Sequence, residues 1–265
     1  MTISVRRALR DRLMRAIRDA VKPLLVEQSE HFERQIAELR DDVRRVYDRV
    51  VEFEIRSRRD IVYAADQRAA LEAAQFVSGN MPNTPRFSER FALLKYALTL
   101  APARGMALEF GVYTGASLEI ITAARETGGV YGFDSFKGLP EEWGVDFPAG
   151  AFAVAEPPEI PGAELVVGWF DETVPGFLTE QAGPVDFLHV DCDLYSSTKT
   201  VLDLVGPRLK PGSVIVFDEF FNFAAWKEGE YRAWTEYAER TGLSFSYAGY
   251  SYNTEQVIVQ IASAP

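Results

Sequence analysis

Along the first part of the chain the apolar positions keep to helical spacing. Phe32, Ile36, Leu39, Val43, Val46, Val50 and Phe53 alternate steps of four and three, the heptad spacing that lines one seam of a helix. Glu33, Arg34, Asp41, Asp42, Arg44 and Arg45 fill the other faces. A single helix cannot bury such a seam by itself, so the pattern predicts a partner helix; docking on the rest of its own chain is the alternative. Before Pro23 the spacing changes. Val5, Leu9, Leu13, Ile17 and Val21 step by four, beside seven basic residues (Arg6, Arg7, Arg10, Arg12, Arg15, Arg18, Lys22) and only Asp11 and Asp19 as acids. A basic amphipathic helix of this kind either lies on an anionic membrane surface as a peripheral contact or stays solvated against a dimer mate. No lipidation signal or bulky aromatic anchor accompanies it.

Ile61 to Val77 reads as one further helix. Residues 1–78 contain no glycine, and all 19 glycines lie from Gly79 onward, so this region is nearly free of tight turns. Three parts follow: a helical, coiled-coil-like extension over 1–78 serving homo-oligomerisation, a linker over 79–85 carrying Pro82 and Pro85, and a second domain over 86–265.

In that second domain the period alternates. Ser88–Leu100 has helical spacing. Strand patterns cover Ala107–Phe110, Val130–Phe133, Leu165–Val167, Asp186–Val190 and Val214–Phe217, with helical stretches at Ser117–Glu126, Pro175–Gln181 and Ser197–Leu209 between them. A long amphipathic helix, Lys227–Arg240, precedes two last strands, Ser244–Tyr250 and Gln256–Ile261. Alternating β and α units predict an α/β fold, a doubly wound, mostly parallel sheet ending in an antiparallel strand. Ligands in such sheets bind beyond the carboxyl ends of the strands.

Composition narrows the function classes. With 47% hydrophobic and 12% aromatic residues the 265-residue chain is globular rather than disordered. A formal charge of −11 speaks against nucleic acid as a partner of the whole protein. One cysteine, Cys192, excludes an internal disulfide and a cysteine-rich zinc site, and fits a reducing, cytoplasmic setting. No apolar run reaches the roughly 18 residues of a membrane span, and no signal-peptide core opens the chain.

The first strand of the second domain ends in a glycine turn, Leu108 to Gly115. Glycines there allow a tight turn and close backbone approach to a bulky ligand. It is not the dinucleotide fingerprint, since Tyr113 stands where its middle glycine belongs. Asp134 ends the second strand, 23 residues after Gly111, where a carboxylate accepts the ribose hydroxyls of an adenosine; capping the next helix is its plainer role. Glu109, two residues before Gly111, suits an anchor for backbone or for the amino group of a methionine moiety. Together these acids fit a sulfonium nucleoside better than a pyrophosphate, which favours bare helix-end amides.

Four carboxylates, Asp191, Asp193, Asp218 and Glu219, follow two strands that should be neighbours. Hard oxygen ligands with few histidines suit Mg²⁺, Mn²⁺ or Ca²⁺; electrostatic support of the sulfonium, or helix capping, is the alternative. Asp191 and Asp193, two apart, face one way in extended backbone. One can bind metal while the other takes a proton. His189 is the rival base, but its place inside a strand suits a structural histidine. His31 adjoins the heptads and should be exposed.

The segments Glu109–Ser117, Tyr131–Glu141, Gly168–Asp171, His189–Thr198 and Phe217–Asn222 resemble, in that order, motifs of the macrocin O-methyltransferase (TylF-type) family. The likeness spans residues 86–262. It implies a class I methyltransferase fold and S-adenosylmethionine-dependent methylation of a hydroxyl on a sugar or glycosylated natural product. By that resemblance Asp191, Asp218 and Glu219 hold Mg²⁺, with Glu219 standing where the family commonly has aspartate, and Asp193 is the general base. The cofactor contacts it implies are Glu109, Gly111, Val112, Tyr113, Gly115, Ser117, Asp134, Ser135 and Asp191. Trp169 and Phe170 would flank the adenine or serve as core aromatics. The loop Phe136–Phe152, with Trp143, would close over substrate, its aromatics stacking on a sugar or packing inward. A nicotinamide-dependent oxidoreductase and a non-catalytic scaffold with a relic methyltransferase domain are the competing readings.

Overall fold

The computed structural model describes residues 3–125, 129–144 and 146–263. The side chains of Val5 and Arg6, in the basic stretch, lie outside the described residues, as do Glu126, which ends the expected Ser117–Glu126 helix, and Val145 in the loop. The chain forms two compact units, Met1–Ala64 and Ala65–Pro265.

The first unit is dominated by α1 (Ile3–Arg59), a helix of 57 residues that continues through Pro23. It ends at Asp60, whose carboxylate accepts the amide N–H groups of Val62 (2.9 Å) and Tyr63 (3.2 Å) and so starts α2 (Ile61–Asn80). Its large apolar side chains, from Leu9 to Ile55, are exposed.

The second unit begins inside α2. Ala69, Ala73 and Met81 are buried, and Phe76 meets Phe220, Trp226, Tyr231 and Tyr247 edge-on or tilted. Residues 65–78, grouped by the glycine count with the extension, therefore belong to the second unit. Gly79 and Asn80, read as linker, are the last turn of α2. The glycine count marks where turns begin, whereas the division depends on which face of α2 has apolar neighbours, and that is tertiary information.

The elements that follow are β1 (Arg86–Phe87), α3 (Arg90–Leu100), β2 (Met106–Phe110), α4 (Ala116–Ala124), β3 (Val130–Asp134), β4 (Glu164–Val167), α5 (Phe170–Glu180), β5 (Val185–Val190), α6 (Tyr195–Val205), β6 (Leu209–Phe217), α7 (Glu230–Thr241), β7 (Ser244–Ser251) and β8 (Val257–Ser263). One eight-stranded sheet runs β1-β7-β8-β6-β5-β2-β3-β4. Its strands pair in parallel except that β8 is antiparallel to both β6 and β7. This is the expected doubly wound sheet with an antiparallel end. The two-residue β1 is too short to leave a period and was not foreseen.

Every residue of β2 and β5 is buried, as in a sheet covered on both faces. Alternate residues feed two cores: Leu108, Phe110, Leu188 and Val190 on one side, Ala107, Phe187, Val214 and Val216 on the other. After β2 the chain moves outward to β3 and β4, then returns to place β5 on the opposite side of β2. The carboxyl ends of β2 and β5 flank the resulting crevice.

Candidate active site

Why the turn after β2 needs glycine is visible in its neighbour. Gly111 has φ +93°, and a Cβ there would sit 1.6 Å from the Asp191 carbonyl oxygen at the end of β5. Only glycine lets the two strand ends come together. The Asp191 N–H donates to the Phe110 carbonyl (2.9 Å) and the Gly111 N–H to that of Phe133 (2.9 Å), so the three strand ends are tied at one point. Asp134 braces the same turn: one carboxylate oxygen accepts the N–H groups of Val112 and Tyr113, both at 2.9 Å, and the other accepts that of Phe136 at 2.7 Å.

A cavity of about 660 Å³ opens beyond these strand ends. Of the expected cofactor contacts, Gly111, Val112, Tyr113, Ser117, Asp134, Ser135, Trp169, Phe170 and Asp191 line it. Two lie elsewhere. Glu109 is fully buried and turns to β5, its Oε1 2.7 Å from His189 Nδ1. Glu109 and His189 are paired residues of neighbouring strands, so their side chains share one face of the sheet. Gly115 caps α4 with φ +87° and sits against Ile160, not at the cavity wall. Phe170 both lines the cavity and meets Phe110 edge-on at 5.1 Å. Trp169 has the Lys137 ammonium 6.0 Å from its ring centre.

The four carboxylates converge. Val190 and Phe217 are register partners, so Asp191 and Asp218 leave adjacent strands side by side. Ligand oxygens of Asp191, Asp193 and Glu219 lie within 4.8 Å of one another, as do ligand atoms of His189, Asp191 and Asp218. All four acids line the cavity. Asp193 holds φ +62°, a conformation disfavoured for a residue with a side chain.

Burial and mutual repulsion set their protonation. Burial first, then the Asp218 charge, raises Asp191 well above the carboxylate range. The same causes, with Asp134 added, push Asp193 up to about 7. Glu219 is raised well by burial and by Asp218 and Asp191. For Asp218 burial acts upward, but the bond and charge of His189 outweigh it and lower the pKa. His189 is the reverse case. Burial disfavours its charged form, yet Asp218 and Glu109 together raise it well above 6.5. Its Nε2 stands 3.8 Å from Asp218 Oδ1, so the ring lies buried between two acids that favour its charged form.

Two participants left no signal in the sequence, and a third belongs to the loop expected over the substrate. Glu230, in the first turn of α7, is fully buried, accepts the Glu219 N–H at 3.0 Å, and has a second oxygen without a hydrogen-bond partner among the described residues. Arg90, opening α3, reaches within 3.9 Å of Asp218 and lines the cavity. Finally, the loop aromatics form a ladder at the mouth: Trp143 stacks on Phe147 (5.2 Å), Phe147 meets Phe152 at a tilt (5.1 Å), and Phe152 meets Tyr113 edge-on (6.1 Å). An exposed Phe152 and half-exposed Tyr113 show that these rings have not all packed inward.

The donor set fits a hard divalent cation. Glu219 Oε2 is buried without a hydrogen-bond partner among the described residues, beside two further carboxylates, and oxygen ligands of net negative charge are what Mg²⁺ and Ca²⁺ take.

Residues 108–220 match a methyltransferase domain family. A Streptomyces olivaceus enzyme, 8-demethyl-8-(2,3-dimethoxy-alpha-L-rhamnosyl)-tetracenomycin-C 4'-O-methyltransferase, is 30% identical over 163 residues, which cover 50% of this chain and 60% of that enzyme. The chain thus spans less than two thirds of that relative's length. Among solved structures, the O-methyltransferase NovP aligns with a TM-score of 0.51 at 20% identity, over 65% of this chain and 79% of that one. The calicheamicin methyltransferase CalS11 gives 0.50 at 24% identity, over 74% and 91%. These two likenesses show the fold. With the match over residues 108–220 and the eight-stranded sheet in a single chain, the protein carries a methyltransferase domain of Rossmann-like fold, similar to the relatives just named.

Proposed function

We propose that this protein transfers a methyl group from S-adenosylmethionine to a hydroxyl of a sugar or glycosylated natural product, assisted by a divalent cation such as Mg²⁺. The observation that carries the reading is the meeting of Asp191, Asp193 and Glu219 at the wall of the same cavity that the glycine turn and Asp134 line. The named relative is a 4'-O-methyltransferase of a rhamnosyl-bearing tetracenomycin, which supports the acceptor class.

When bound, S-adenosylmethionine supplies an electrophilic methyl on a sulfonium, and the cation supplies a positive charge that acidifies and orients a hydroxyl. The residues of the chain do the rest. Asp134, with the amides of Val112 and Tyr113, holds the ribose end, and Trp169 offers its face to the adenine. Asp191 and Glu219, with Asp218 beside them, hold the cation. Asp193, at the cavity wall beside the other acids, accepts the acceptor's proton as the hydroxyl oxygen attacks the methyl and S-adenosylhomocysteine leaves. The ladder of Trp143, Phe147 and Phe152 keeps water from the mouth and covers the acceptor's apolar face.

The test is a methyl-transfer screen over glycosylated acceptors, with and without Mg²⁺. Turnover of at least one acceptor is expected, lost on chelation and reduced about 10²- to 10⁴-fold in Asp193→Asn, with S-adenosylhomocysteine affinity kept. Transfer undiminished by EDTA would remove the cation from the reading. Cofactor binding with no transfer to any hydroxyl would leave the scaffold reading standing.

A further inference from the structure

We propose that residues 25–57 of α1 pair with the same residues of a second copy of this chain, as a parallel, in-register, two-stranded coiled coil. The proposal concerns α1 alone and does not depend on the reaction proposed above. Its starting point is exposure. The seven seam residues from Phe32 to Phe53 are each between 49% and 62% exposed, along roughly 32 Å of helix at 1.5 Å per residue. The edge of Tyr63 against Phe53, at 6.1 Å, touches only the end of this stripe.

The occupant is argued from the residues themselves. Placing Ile36, Val43 and Val50 at heptad position a puts Phe32, Leu39, Val46 and Phe53 at d. β-Branched residues at a, with leucine at d, favour two strands. The same frame carries Leu25 at d and Ser29 at a upstream, and Ser57 at a downstream. In a parallel, in-register pair each layer meets its own copy: phenylalanine on phenylalanine, serine on serine. Antiparallel pairing sets a against d. The two such registers that overlap the whole seam would place Phe53 on Ser29, or Phe32 on Ser57, and leave an apolar ring against a hydroxyl.

Charge points the same way. In the parallel pair the flanking g and e positions bring Gln28 to Glu33, Gln35 to Arg40, Asp42 to Tyr47 and Arg49 to Glu54. One contact is attractive, none is repulsive, and symmetry makes it twice. Glu54 already has Arg58 at 2.8 Å on its own helix, so Arg49 of the second copy would extend that pair. Of the antiparallel registers, one sets Arg40 on Arg40 and Asp42 on Asp42. The other offsets two Asp42–Arg49 contacts with two Glu33–Glu54 repulsions. The seam begins after Pro23, so the basic stretch from Arg7 to Lys22 lies beyond it and the two copies can splay apart there.

The experiment uses the full chain. Sedimentation equilibrium should give twice the 29.7 kDa of one chain, and Val43→Glu with Val46→Glu should raise the dimer dissociation constant at least 100-fold. Retained S-adenosylhomocysteine binding by that double variant shows that the second unit still folds. Ser29→Cys then reads orientation: mild oxidation should link two chains covalently at that position, while the native Cys192 is buried. A monomeric wild type, a trimer or tetramer, a dimer insensitive to the double substitution, or a dimer that Ser29→Cys does not cross-link would each overturn the proposal.

Discussion

The two units of this chain break opposite rules of protein interiors. The helix α1 leaves a stripe of phenylalanine, leucine and valine in water, while the sheet unit puts Asp191, Glu219 and Glu230 where burial opposes their charge. Apolar surface in water is costly in proportion to its area. Buried like charges are costly because the low-dielectric interior neither solvates nor screens them. Under the two proposals above, each departure marks where the chain would meet something beyond its own fold: a second apolar helix in one unit, a cation and a sulfonium in the other. Neither cost is a packing accident, because the surroundings of both are well ordered, one by i to i+4 ion pairs such as Arg58–Glu54, the other by backbone amides on Asp134.

The sharpest way to break the comparison is to remove a buried acid. Asp191→Ala should lower methyl transfer on the order of 10³-fold or more, read with the acceptor found by the screen, since Asp191 is shared by both groups of ligand atoms. It should also raise the melting temperature of the metal-free chain at high pH, because an acid whose ionisation burial and Asp218 oppose is gone. A fall in that temperature would mean that the acids stabilise the fold and were misjudged as strained.

Next in size is His189→Leu. It leaves Glu109 fully buried with its one charged partner removed, and should cost about 3 to 5 kcal/mol of unfolding free energy, measured by urea denaturation. His189→Leu together with Glu109→Leu should recover most of that loss; no recovery would show that the pair is not the reason for it.

A smaller effect concerns pH. Asp193 keeps its proton to about 7 in the folded chain, against 3.8 for the free group. Its folded pKa is raised, so its contribution to stability is whole below the unfolded value and is lost as pH rises through 7. A bound cation replaces that proton. Mg²⁺ should therefore raise the melting temperature more at pH 8 than at pH 5.5, by roughly 3 to 8 °C, with Asp191→Ala abolishing the difference. The smallest effect is the control: seam substitutions in α1 should shift the melting of the sheet unit by less than about 1 °C, and Asp191→Ala should leave the chain's mass in solution unchanged.

The site was legible in unequal measure. Strand ends betray themselves because a buried run such as Asp186–Val190 stops at charge, and ligands of wound sheets lie just beyond. That placed Asp134, Asp191, Asp193, Asp218 and Glu219 at one cavity. The partner of Glu109 was not legible, since its side chain meets the register partner His189, and register is set by pairing. Glu230 opens a helix that any amphipathic sequence would form, and its value comes only from the Glu219 amide beside it.

By itself the sequence determined the period-dependent features: a glycine-free helical stretch with a heptad seam, a wound sheet with an antiparallel end, and acids at its strand ends. These follow from local spacing, which survives without tertiary contacts. Tertiary structure alone decided that α2 passes into the second unit at Ala65, that Gly111 is required by the Asp191 carbonyl as well as by the turn, and that His189 is held between Glu109 and Asp218. Each of these depends on which distant residue stands opposite, and no periodicity along the chain encodes that.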